Sequence, residues 1–211
     1  MTTKLDIYNG ALELCGERHL ADLSENREPR RLLDNVWDRN GVNRCLERGQ
    51  WHFAMRSVMV DYDPDEDPAF GYAYAFSKPT DWVLTSALAS DEYFNSPLVR
   101  YVDESGFWYA DATPIYVKYV SNHNDYGNNL GIWPESFTEF VEAYFASKIV
   151  LKVTGDQKRT DLVYAYSQKM LKQALNRAAM ALPTRFPAEG SWVRSRGQGI
   201  RRDKVRGNFT G

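Results

Sequence analysis

Apolar positions in the first fifty residues recur at helical spacing. In "TKLDIYNGALELCGE", Leu5, Tyr8, Leu12 and Cys15 fall on one stripe with Ile7, Ala11 and Leu14 beside it, which predicts a first helix. Thr3 followed three residues later by Asp6 is a capping arrangement, with Asp in the place usual for Glu, and Gly16 is a stop. After the linker "RHLADLSENREP", Leu32, Leu33, Val36, Trp37, Cys45 and Leu46 predict one second helix from near Glu28 to Arg48, ended by Gly49.

The pattern then changes period. "AMRSVMV" reads as extended, and "DYDPDEDPAFGYAYAFSKPTDW" as an acidic, then aromatic and Pro-rich, irregular stretch. Between about residues 80 and 121, Val99, Tyr101, Phe107, Tyr109, Ile115, Val117 and Tyr119 alternate at period two, with Glu104, Ser105 and Gly106 as a turn. This predicts two to four antiparallel strands, followed by the polar loop "SNHNDYGNNLG". Helical spacing resumes at Trp133, with Pro134 suited to a first turn and Glu135 to the positive helix end. Phe137, Phe140, Val141, Tyr144, Ile149 and Val150 make this helix apolar nearly all round, hence central. Gly155 ends it and Asp156 caps the next, which runs through Val163, Tyr166, Met170, Ala174, Ala178 and Ala181 to about Leu182.

The expected architecture is α+β: a four-helix bundle from residues 1–56 and 130–182, a small antiparallel β-sheet inserted with its loops at 57–129, and an extended basic C-terminal arm at 183–211. Trp51 and Phe53 sit where the second helix gives way to extended chain. In a strand, residues 51, 53 and 55 share a side, so Trp51, Phe53 and Met55 are expected to anchor the chain to the helices rather than form a ligand platform.

Charge divides the chain. The net charge is −2, yet residues 183–211 hold seven basic residues against Glu189 and Asp203, leaving +5 there and −7 on residues 1–182. Cys15 and Cys45 lie within helical patterns, too few for a disulfide framework or ligand cluster, and read as small buried hydrophobes. "MTTKLDIYNG" lacks the basic and apolar regions of a secretory signal, and no apolar run is long enough to span a bilayer; synthesis and folding in a cytoplasm are expected.

Catalytic constellations are missing from the pattern. His19, His52 and His123 are widely separated and unpaired with Cys or His at metal spacing. There is no His-Glu-x-x-His, Gly-rich phosphate loop or Gly-x-Ser-x-Gly elbow. Asp61, Asp63, Asp65, Glu66 and Asp67 resemble a calcium loop superficially, but the central Gly and terminal Glu are absent, and Pro64 and Pro68 break the spacing. A solvated acidic loop is expected. No catalytic residue, cofactor or metal ligand is assigned, and the chain is not expected to be an enzyme.

The stretches "ALELCGE", "LADLSEN", "RRLLDNVWD" and "LERGQWHFA", in that order, resemble the start of the tail tubular protein A family, head-to-tail connector adaptors of short-tailed phages. A first helix ending in Leu-x-x-x-Gly-Glu (residues 12–17), a Leu-rich linker (20–23), a second helix (30–48) and Trp-x-Phe-Ala (51–54) follow the family's order. "YAFSKPTDWV" is similar to the family's Tyr, then Pro-x-Asp, lead into the sheet, and "IYVKYV" before an aromatic-rich helix to its last strand and third helix. The resemblance covers about residues 4–182; the acidic loop and the long basic tail are less typical of the family. It implies a structural virion protein at the head-to-tail interface, in a ring of about twelve copies beneath the portal protein. Such a ring holds a tail nozzle protein similar to tail tubular protein B, and genomic DNA passes through it without specific binding; no membrane is involved. An acidic body suits a DNA conduit, because like charge keeps DNA from sticking.

The stretch 183–211 has two prolines, five glycines and no helical period. Arg185, Phe186, Trp192, Arg194, Arg196, Arg201, Arg202, Arg206 and Phe209 interleave apolar anchors with guanidinium groups, which suits an extended arm lying on the portal or a neighbouring subunit. The same composition fits the alternative reading, a nucleic-acid-binding module using this arm.

Overall fold

The computed structural model describes residues 2–68 and 70–181. The chain divides into two units, Met1–Ala181 and Leu182–Gly211, and the second lies outside the described residues.

Among the described residues there are five α-helices, not four: α1 Lys4–Cys15, α2 Glu28–Asp38, α3 Gly41–Leu46, α4 Glu135–Thr154 and α5 Gln157–Met180. The expected second helix is broken because Asn40 takes a left-handed conformation (φ 59°, ψ 36°), which ends α2 and turns the chain into α3. Gly41 permits the turn: a Cβ there would lie 2.5 Å from the Val36 carbonyl oxygen. The arrangement is not a four-helix bundle. α4 packs against α1, α2, α3 and α5, whereas α1 and α5 meet only at their margins. Phe137, Phe140, Val141, Phe145, Ala146, Ile149 and Val150 of α4 are buried among these neighbours, while Glu139, Lys148, Leu151 and Lys152 of the same helix remain exposed.

Local signals fix the helix ends. Thr3 and Asp6 form a reciprocal capping box, with Thr3 Oγ1 accepting from the Asp6 N–H at 3.2 Å and Asp6 accepting from the Thr3 N–H at 2.8 Å. Gly16 closes α1 at φ 72°, and its successor's N–H reaches back to the Leu12 carbonyl at 2.9 Å. Pro134 is the residue before α4 rather than in its first turn. Asp156 caps α5 through the Lys158 N–H at 2.9 Å.

The insert is two small antiparallel sheets rather than one. Sheet 1 has the order β1 (Met55–Val60), β6 (Ile115–Ser121), β3 (Trp82–Ala89); sheet 2 has the order β2 (Tyr74–Ser77), β5 (Phe107–Ala110), β4 (Tyr101–Glu104). Ser105 and Gly106, both at positive φ, make the tight β4–β5 turn. Val99, expected in a strand, is exposed and precedes β4.

Alternation along β6 explains why two sheets stack. Ile115, Val117 and Tyr119 face a core shared with Phe76 and Trp108 of sheet 2 and Leu88 of β3. Val120, on the opposite face, joins the helical core with Met55 and Leu84. Sheet 1 is therefore a middle layer, helices on one side and sheet 2 on the other.

Candidate functional site

Trp51 is the joint between helices and sheet. It is buried, and its Nε1–H donates to the carbonyls of Cys45 (3.2 Å) and Leu46 (3.1 Å) at the end of α3, which also accept from the Arg48 N–H (3.3 Å) and the Gly49 N–H (3.4 Å). Its ring meets Phe137 edge-on at 4.7 Å and Phe140 at 6.3 Å, while Phe53 lies 4.8 Å from Phe137. The expected anchor is present, with a different backbone: His52–Ala54 is a 3-10 turn, and the strand begins at Met55. Trp133 joins the cluster, perpendicular to Phe137 at 4.9 Å, its Nε1–H on the Gly127 carbonyl at 2.8 Å.

A second joint centres on Asp81, whose residue surface is 8% exposed. Its carboxylate accepts from Arg56 at 2.8 Å, from the Tyr119 hydroxyl at 3.1 Å, and from the Ser121 hydroxyl. Its carbonyl accepts from the Asn122 N–H at 2.9 Å. One residue before β3 thus binds β1, β6 and the loop beyond. Burial works against ionisation, but the hydrogen bonds from Ser121, Arg56 and Tyr119 outweigh it and hold the carboxyl below its usual range. The Pro-x-Asp motif, Pro79 to Asp81, has a mechanical role that the sequence alone did not disclose.

Lys78 pins the two sheets together. Its ammonium pairs with Asp103 and sits 3.7 Å from the centre of the Trp82 ring. Thr85 Oγ1 accepts from Trp82 Nε1 (3.0 Å) and Trp108 Nε1 (2.9 Å), and donates to Asp103 (2.8 Å).

The strongest unsatisfied feature is a basic pocket of about 230 Å³ between α2, α3 and α4. Arg39, Arg44, Lys148 and Lys152 line it with Gly41 and Tyr144. None of the four cations has an ion-pair partner among the described residues; Lys148 lies 5.0 Å over the Tyr144 ring. Tyr144, Lys148 and Lys152 are a stripe at four-residue spacing, and like charges at that spacing repel on a helix. Only the Lys148–Lys152 spacing was visible in the sequence; Arg39 and Arg44 reach the same pocket because Asn40 turns the chain.

The acidic residues Asp61, Asp65, Glu66 and Asp67 are exposed between β1 and β2, and Asp63 is half-buried. The loop is held rather than loose: the Asp63 N–H donates to the Ala75 carbonyl at 2.8 Å, Ser77 donates to the Asp63 carboxylate, and the Asp65 N–H returns to Asp63 at 3.1 Å. No described group of three His, Cys, Asp or Glu is arranged to hold a metal ion. His52 contacts the Ala178 carbonyl at 2.7 Å, His123 lies beside Asp125, and His19 beside Glu13, each apart from the others. Cys15 and Cys45 are buried thiols, and burial pushes Cys15 up to about 11. No described helix is long and apolar enough to cross a membrane.

The arm residues Arg185, Phe186, Trp192, Arg194, Arg196, Arg201, Arg202, Arg206 and Phe209 lie outside the described residues. Set against models of known protein families, the chain matches none, and no curated protein matches it.

Proposed function

We propose that the chain is a structural head-to-tail adaptor of a phage virion. In this reading it forms a ring of about twelve copies beneath the portal protein, holds the tail nozzle and lets DNA pass. One observation carries the reading: the motifs that resemble the adaptor family sit at the joints of this fold. Gly16 closes α1, Trp51 ties α3 to α4, and Asp81 binds the strands of sheet 1. An ordered set of motifs placed at such joints is what a shared scaffold requires, and joints specify a scaffold rather than a reaction. The net charge of −7 on residues 1–182 supports passage of DNA without capture.

Electron microscopy of the purified chain mixed with portal rings tests the reading. Ring density beneath the portal is the expected result. Portal rings that stay bare at saturating concentrations of the chain refute it.

A further inference from the structure

Two surface features of opposite charge have no ion-pair partner among the described residues. The first is the basic pocket, with four unpaired cations on a body that is otherwise acidic. The second is the loop 61–67, five carboxylates in seven residues, none of them in an ion pair among the described residues. We infer that the pocket of Arg39, Arg44, Lys148 and Lys152 receives the acidic loop 61–67 of a second copy of this chain. The contact rests on the ring reading above and specifies how neighbouring subunits join.

Geometry and energetics favour this occupant. Lys148 and Lys152 repel one another on α4, and the two arginines add to the field; a carboxylate-bearing partner relieves that cost. The pocket is concave, with guanidinium groups at one wall that can grip carboxylates bidentately and ammonium groups at the other. The loop is anchored through Asp63 to β2, so little ordering entropy is lost on docking. Tyr62, half-exposed and 5.5 Å from Tyr74, gives its base an aromatic shoulder. Pocket and loop are different patches on different elements, one among helices and one between β1 and β2. A contact of one patch with a different patch is heterologous, and it generates a ring wherever the rotation it imposes closes. Nucleic acid is the poorer occupant: its backbone needs an extended basic track, and the acidic body repels it.

The test uses the full chain in sedimentation velocity at low salt, with two sets of exposed substitutions. The loop variant carries Asp61→Asn, Asp65→Asn, Glu66→Gln and Asp67→Asn; the pocket variant carries Arg44→Glu and Lys148→Glu. Thermal melts check that both remain folded. The wild type is expected to associate weakly, less so as salt rises, and each variant alone to associate at least about tenfold more weakly. Mixed together, the two variants should form dimers and stop there, since one supplies only the pocket and the other only the loop. Wild type that stays monomeric at low salt overturns the contact, as do variants that associate like wild type. Binding of a duplex oligonucleotide that is lost in the pocket variant also overturns it, in favour of a phosphate site. Both variants decorating portal rings as wild type does would sink this contact and leave the adaptor reading standing; bare portal rings together with loop–pocket dimers would do the reverse.

Discussion

Replacing Glu142 by Gln should stabilise the protein, increasingly as pH rises from 4.5 and fully above about 7. Glu142 is half-buried on α4, facing α1 where that helix has Gly10; a Cβ on Gly10 would lie 2.3 Å from the Glu142 carboxyl carbon. Burial, and then the charges of Glu139, Asp6 and Glu13, push its carboxyl up to about 7 from an ordinary 4.5. The folded state therefore favours the protonated form. Below pH 4.5 the group is neutral in both states and costs nothing. As pH rises from there through about 7 the cost grows, and above that it is complete. The gap sets a ceiling of about 3.5 kcal/mol. Part of the side chain remains in water, which screens the cost to about 1–2 kcal/mol. Gln keeps the shape without the charge. Urea unfolding followed by Trp fluorescence, repeated from about pH 3.5 to about pH 8, should give coincident midpoints at the acid end. The variant should be more stable by about 1–2 kcal/mol at the alkaline end. Parallel curves across that range would show that Glu142 ionises freely in the folded protein and refute the reasoning.

Trp51→Ala removes both a buried ring and the donor on the α3 carbonyls, and should cost about 3–5 kcal/mol in urea unfolding; a loss below about 1 kcal/mol contradicts its role as a joint. Asp81→Asn leaves Arg56 without its counter-charge and should cost about 2–3 kcal/mol at pH 7. Because the Asp81 carboxyl is held low, its contribution is present above pH 3.8 and lost as pH falls through its own lower value. The variant should lack that acid-sensitive limb; an unchanged acid titration of stability counts against the network. Truncation after Leu182 should leave the unfolding midpoint unchanged and abolish docking on portal rings, read by electron microscopy; undiminished docking shows that the arm is not the portal contact.

Where a signal was local, the sequence disclosed it. The Thr3–Asp6 cap, the Gly16 and Gly155 stops and the Asp156 cap each depend on a few neighbouring residues, and their helices lie where periodicity predicts them. The break at Asn40 was also local, since Asn-Gly is a turn signal, but the apolar stripe from Leu32 to Leu46 runs across it and masked it. Two sheets rather than one were beyond reach for another reason. Period two tells which side chains share a face, not which strand lies next door, and β1 finds its partner β6 some sixty residues away. The basic pocket draws on three helices, so its cations look like ordinary solvated charges until the fold brings them together.

The placement of β6 and α4 has a consequence in time. β6 is the middle strand of sheet 1, and α4 packs against each of the other four described α-helices, yet both come late in the chain. A ribosome that has delivered β1, α1, α2 and α3 has delivered only outer parts. Tyr8 then has Trp37 and Trp51 has Phe53 beside it, but the rings of α4 that complete their burial, Phe145 for Tyr8 and Phe137 and Phe140 for Trp51, have still to emerge. The nascent first half is left with exposed aromatic surface and an unpaired β1 edge, the condition in which chains aggregate or recruit chaperones. A stalled or truncated product ending before α4 should accordingly be insoluble, whereas one ending after α5 has both core clusters of the described residues.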